Sequence, residues 1–134
     1  VIKIVRREYK EASFTNVRGG KGTYRLKQIL LQEEMLGHGR GFSIATLPPG
    51  CSIGWHRHVD EYDAYYVLSG EALYTDEDGT KTVMKSGDMS NIGIGNCHAI
   101  ENISKDADLQ VMFLIIYGEG KTEGYAEDGI PLKG

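Results

Sequence analysis

An all-β fold, a sandwich or barrel of about ten short strands, is what the sequence predicts. Three observations point there. The 18 glycines of this 134-residue chain are spread through it as punctuation. The segments between them are rich in Val, Ile, Tyr, Phe and Thr, residues that suit a pleated, half-buried backbone. Apolar residues at helical spacing are nearly absent.

In chain order, the predicted strands are 2–5, 24–32, 41–47, 52–56, 63–68, 71–74, 80–84, 88–92, 97–102 and 109–117. The turns between them carry residues that fix φ or tolerate φ > 0: Pro48-Pro49-Gly50, Ser69-Gly70, Asp78-Gly79, Ser86-Gly87 and Gly93 to Asn96. Gly19-Gly20-Lys21-Gly22 has no following helix and matches neither phosphate-binding pattern, so it reads as a flexible loop. Strand 109–117 is apolar on both parities and 63–68 nearly so, which implies that the outer face of one sheet is covered. In a domain this small, a second copy of the chain is the expected cover, so a homodimer is predicted. The outward parity of Trp55 asks for a partner surface as well.

The length fits one domain, 1–134, with an N-terminal arm to about residue 22, a barrel over about 23–117 and a tail from about 118. With 15 Lys and Arg against 19 Asp and Glu, the chain lacks the basic stripe that nucleic acid would require. No apolar run approaches the roughly 20 residues that span a bilayer, and the chain is expected to be soluble and cytoplasmic. Cys51 and Cys97 are too few for a disulfide framework and read as buried thiols.

Three of the four histidines fall in two strand-like segments. In His56-Arg57-His58, successive side chains alternate faces, so both imidazoles project to one side about 7 Å apart at Cα. His98 comes from a different strand, and a carboxylate is available in the acidic stretch 60–63. Imidazole with carboxylate suits Mn, Fe, Co, Ni, Cu or Zn. His38 lies in the loop Leu36-Gly37-His38-Gly39 without a partner and is expected at the surface. Cys97 adjoins His98, and Cys51 is an odd number of residues from His56, so neither is expected to face the ion.

These segments resemble the cupin superfamily. Its first motif is Gly, five residues, H-x-H, three or four residues, Glu, six residues, Gly. Here Gly50, His56, His58 and Gly70 match, and Asp63 stands where the Glu belongs. Its second motif is Gly, five residues, P-x-G, two residues, His, three residues, Asn. Here Gly87, Gly95, His98 and Asn102 match, with Gly93 for Pro. The resemblance implies a double-stranded β-helix, or jelly roll, holding one divalent transition metal per chain (Mn, Fe, Zn, Ni or Co). His56, His58, His98 and Asp63 would be its ligands, with two positions left for water or substrate. Because Asp is shorter than Glu, the carboxylate place stays open between Asp63 and Glu61.

Similar small cupins include dioxygenases, oxalate-type decarboxylases and sugar-related isomerases, so an enzyme acting on a small oxygenated substrate is expected. A non-catalytic module that binds a small ligand or the metal is the alternative, and the absence of a helix-turn-helix pattern weighs against it. No catalytic residue is singled out by spacing; Tyr65, Tyr66, Glu61 and Glu101 are the candidates near the motifs. Ile100, Met112, Leu114 and Ile116 are expected to line an apolar pocket.

Overall fold

A computed structural model describes residues 5–119. Ten strands lie among them: β1 (Glu11–Thr15), β2 (Thr23–Leu30), β3 (Gly39–Leu47), β4 (Ser52–Arg57), β5 (Glu61–Ser69), β6 (Glu71–Thr75), β7 (Lys81–Lys85), β8 (Met89–Ile92), β9 (Cys97–Asn102) and β10 (Leu109–Tyr117). They form a six-stranded sheet ordered β1-β2-β3-β10-β5-β8 and a four-stranded sheet ordered β4-β9-β6-β7. Every pairing is antiparallel, and the two sheets enclose one core in a jelly-roll barrel. Among the described residues no helix is long and apolar enough to cross a membrane.

Each predicted strand from residue 24 onward has its counterpart. The strand expected at 2–5 and most of the expected tail lie outside the described residues; Val5, which is described, is irregular and exposed. β1 was not anticipated, because EASFT shows little alternation and only Ala12 is even half-buried. It is an edge strand, held by pairing to β2 alone. The loop after the 3₁₀ turn Val17–Gly19 is strapped to β4: Ser52 N–H donates to Lys21 O at 2.8 Å, and Lys21 N–H donates to Ser52 Oγ at 3.0 Å.

The barrel interior follows strand alternation. In β5, Glu61, Asp63, Tyr65 and Val67 are buried while Tyr62 and Tyr66 are 44% exposed. Within the single chain the outer face of this strand is therefore left uncovered. For β10 the expected parity is also reversed. Ile115 lies opposite Asp63, and Val111 opposite Val67, so Val111, Phe113 and Ile115 face inward. Met112, Leu114 and Ile116 pair with Tyr66, Ala64 and Tyr62 on the outer face. Sequence parity places residues on alternate faces but does not say which face is inside; the register decides that.

Among four register shifts between the strands, two bulges bear on the site. Between β3 and β10, Ile115 pairs with Gly41 and Ile116 with Gly39, which leaves Arg40 as an extra residue. Between β4 and β9, Ile53 pairs with Ile100 and His56 with His98, so Gly54 and Trp55 together oppose a single residue. Each bulge turns the residues after it onto the other face. The second one undoes the parity argument for Cys51, which faces inward like Ile53 and packs in the core beside Leu47. Cys97 is also buried, and the conclusion that both are packed thiols stands.

The apolar end of the interior is formed by Leu47, Val67, Ala72, Met84 and Leu109. Asn102 closes it: Nδ2 donates to the carbonyls of Leu47 and Ala107 at 2.8 and 2.9 Å, and Oδ1 accepts from Ser104 N–H at 2.9 Å. At the turn joining β5 and β6, Gly70 has φ 88°, and a Cβ there would stand 2.5 Å from Asp108 O. Only glycine meets both conditions.

Candidate metal centre

Opposite the apolar end, β4 and β9 present three imidazoles to one point. His56 Nε2 lies 3.0 Å from His98 Nε2, and His58 Nε2 lies 3.1 Å from it. From the other sheet, Asp63 Oδ2 approaches His58 Nε2 to 3.0 Å and His98 Nε2 to 3.3 Å. The four donor atoms all lie within 4.8 Å of one another.

Each ring is oriented from behind. His56 Nδ1–H donates to Gly54 O at 2.7 Å, a contact created by the β4 bulge. A Cβ at residue 54 would collide with Arg18 O, which makes glycine obligatory there. His58 Nδ1–H donates to Glu61 Oε1 at 2.8 Å. His98 Nδ1 shares a 2.9 Å hydrogen bond with the Tyr74 hydroxyl. A carbonyl and an ionised carboxylate can only accept, so His56 and His58 carry a proton on Nδ1 and turn Nε2 inward. Imidazole nitrogens and a carboxylate oxygen at these separations need positive charge between them, a proton or a metal ion.

Electrostatics points the same way. Burial, with His98 next, pushes His56 down to about 3, so its imidazole is neutral at physiological pH. Burial opposes protonation of His58 too, but the Asp63 and Glu61 carboxylates on either side outweigh it and raise its pKa. Burial likewise works to raise Asp63, yet hydrogen bonds from His58 and His98 hold it down at about 2. Asp63 Oδ1 is buried without a hydrogen-bond partner. A pocket that favours cations and contains an unpartnered carboxylate oxygen fits a metal ion. Donors at right angles around an ion bound at about 2.1 Å stand about 3.0 Å apart, close to the distances seen here.

The two candidate carboxylates have different surroundings. Asp63 Oδ2 stands among the imidazole nitrogens. Glu61, at the start of β5, is 1% exposed. Its carboxylate accepts from Arg40 Nε at 3.0 Å and Arg40 Nη2 at 2.7 Å, besides His58. Against the cost of burial, His58 and Arg40 hold Glu61 at about 2. Arg40 and Tyr74 were missed from sequence. The signal for Arg40 was present in Gly39-Arg40-Gly41, since isolated glycines inside a strand mark a bulge, and the bulge aims Arg40 at Glu61.

A cavity of about 730 Å³ opens onto His56, His58 and Asp63. Tyr65 and Ile100 line it, whereas Tyr66 faces outward and Glu101 lies on the opposite parity of β9 from His98 and Ile100. Tyr65 stacks flat on His98, with ring centroids 4.9 Å apart and planes at 3°. His38 is exposed, as expected.

Comparison with known proteins follows this geometry. The family model described as the Cupin domain matches residues 43–117. A Thermotoga maritima protein named oxalate-binding protein is 38% identical over 102 residues, covering 76% of this chain and 83% of its own length. A solved structure from Thermotoga maritima, described as a predicted oxalate decarboxylase, has TM-score 0.80 and 36% identity, over 85% of this chain and 99% of its own. A polyketide cyclase from Streptomyces resistomycificus has TM-score 0.66 at 19% identity, over 89% and 81% of the two chains, a likeness of fold alone.

Proposed function

This chain belongs to the cupin family, and from that premise we propose that it holds one divalent transition metal through His56, His58, His98 and Asp63 and acts on a small oxygenated anion beside it. The observation that carries this reading is the convergence of three Nε2 atoms and Asp63 Oδ2 at 3.0 to 3.3 Å. Bound there, an ion supplies Lewis-acid polarisation of a ligand oxygen. The chain's own residues do the rest. Gly54 O and Glu61 fix the His56 and His58 tautomers, Arg40 steadies Glu61, and the apolar wall around Ile100 and Phe113 limits water.

Among the expected reaction types, decarboxylation is favoured, because the relative at 36% identity is described as a predicted oxalate decarboxylase. Binding without turnover is the second reading. It is supported by the name of the oxalate-binding relative and by Glu61 being fully engaged with Arg40 and His58, hence not free to move protons. Elemental analysis of protein purified without added metal tests the shared part: one ion per chain is expected. Changing His56, His58 or His98 to Ala singly should remove it, and a full complement in all three variants would refute the site. Incubating the loaded protein with oxalate under nitrogen separates the readings, since carbon dioxide with formate marks turnover and intact bound oxalate marks binding alone.

A homodimer is proposed through the outer face of the six-stranded sheet, where Tyr62, Tyr66, Met89 and Ile116 are exposed on neighbouring strands. Trp55, 47% exposed, lies on the other sheet and needs a separate explanation. Light scattering at micromolar concentration tests the dimer, and a clean monomer would exclude it.

A further inference from the structure

The cavity is larger and more apolar than a two-carbon dicarboxylate requires. At about 30 Å³ per water, 730 Å³ corresponds to roughly two dozen waters. That volume falls within the roughly 300–1,000 Å³ of sites that enclose drug-sized ligands. Leu26, Ile53 and Phe113 give the cavity an apolar wall. Its charge runs against that of the chain. The formal net charge is −4, yet apart from the Arg40–Glu61 pair the charged residues lining the cavity are Lys10, Arg18 and Arg57 against Glu33 and Asp63. Tyr24 and Tyr65 also line it, and among the described residues neither hydroxyl has a hydrogen-bond partner. A phenol hydroxyl can donate as well as accept.

Resting on the metal site proposed above, we propose that the cavity takes a carboxylate with an aryl-sized apolar body. Its oxygen-bearing head lies beside the imidazole cluster within the Tyr65 wall, and its body lies against Leu26, Ile53 and Phe113. The head answers the basic lining and the unpartnered hydroxyls. The body answers the apolar wall, which a bare dicarboxylate leaves uncovered. At about 25 cal/mol per Å² of apolar surface removed from water, covering that wall favours the larger ligand.

The test is calorimetry on the full chain. Mn(II) is titrated first, alone, into metal-free protein. The loaded protein is then titrated with benzoylformate, pyruvate and oxalate. Benzoylformate and pyruvate share a head and differ in the aryl group. Benzoylformate is expected to bind at least tenfold tighter than pyruvate and tighter than oxalate, and Leu26→Trp, which fills the wall, should cancel most of that advantage while leaving Mn(II) and oxalate binding within about twofold. Should Leu26→Trp fail to fold, Phe113→Ala replaces it, with benzoylformate weakened more than pyruvate. Normal Mn(II) binding with oxalate or pyruvate as tight as benzoylformate overturns this proposal and leaves the metal site standing. Absence of Mn(II) binding overturns both.

Discussion

At one end of the barrel interior Leu47, Val67 and Leu109 pack without exposure. At the other end the same strands, β3, β5 and β10, supply Arg40, then Glu61 and Asp63, then Ile115. The first end is uniform and apolar, and its stability comes from area removed from water and close packing. The second end buries two carboxylates and two imidazoles, which would be costly were they not paired with one another and with Arg40. The contrast teaches that a small barrel can divide its labour along the strand axis. Folding energy is gathered where the interior is dry, and the donor atoms that could hold a cation where it is polar.

The division should show first in metal content. His98→Ala is expected to take the ion from one per chain to almost none while far-UV circular dichroism stays that of the parent; a collapse of the β signal would mean that the two ends are not separable. The reverse experiment acts on the apolar end. Leu109→Ala should cost about 2–5 kcal/mol in denaturant unfolding, with metal affinity below the transition changed by less than about threefold.

Smaller effects sharpen the comparison within the polar end. Glu61→Gln keeps the size of the side chain but loses the charge that orients His58, and a loss of about 10- to 100-fold in metal affinity is expected with stoichiometry unchanged. Asp63→Ala should also cost at least tenfold, and if Glu61→Gln alone had an effect, the ligand role would pass to Glu61. In metal-free protein the titrating groups set a pH window. His58 is raised above 6.5, so its contribution to stability is complete below 6.5 and is lost as pH rises through the folded value. Glu61 and Asp63 are lowered to about 2, so theirs is present above about 4.5 and is lost as pH falls toward 2. His56, lowered to about 3, works in the same sense as the carboxylates: its contribution is complete above 6.5 and is lost as pH falls toward 3. Melting temperature of the stripped protein should therefore peak near pH 6.5 and fall on either side, and a monotonic rise to pH 9 would contradict these pairings. Smallest of all, Trp55→Ser on the outer face should move stability by no more than about 0.5 kcal/mol in dilute monomer.

Much of this was legible in the sequence because strands and turns are local. Glycine-bounded β segments located every strand from residue 24 onward, and His56, His58, His98 and Asp63 were marked by spacing and motif. What could not be read was register. Without it, the inward parity of β10 came out reversed, and the choice between Asp63 and Glu61 stayed open although Arg40 and His58 enclose Glu61. Arg40 itself comes from 21 residues upstream, and no local pattern ties it to Glu61.

The bulge at Gly54 and Trp55 makes the strand carrying two of the three imidazoles a matter of phase. Ile53 and His56 both face inward only because one residue is inserted between two stretches of ordinary alternation. Deleting Gly54 would close the bulge and leave His56 opposite His98, but it would take away the carbonyl that accepts from His56 Nδ1 and let that ring turn. In this chain an irregularity of β4 is itself part of the site, since it supplies the acceptor that orients one imidazole.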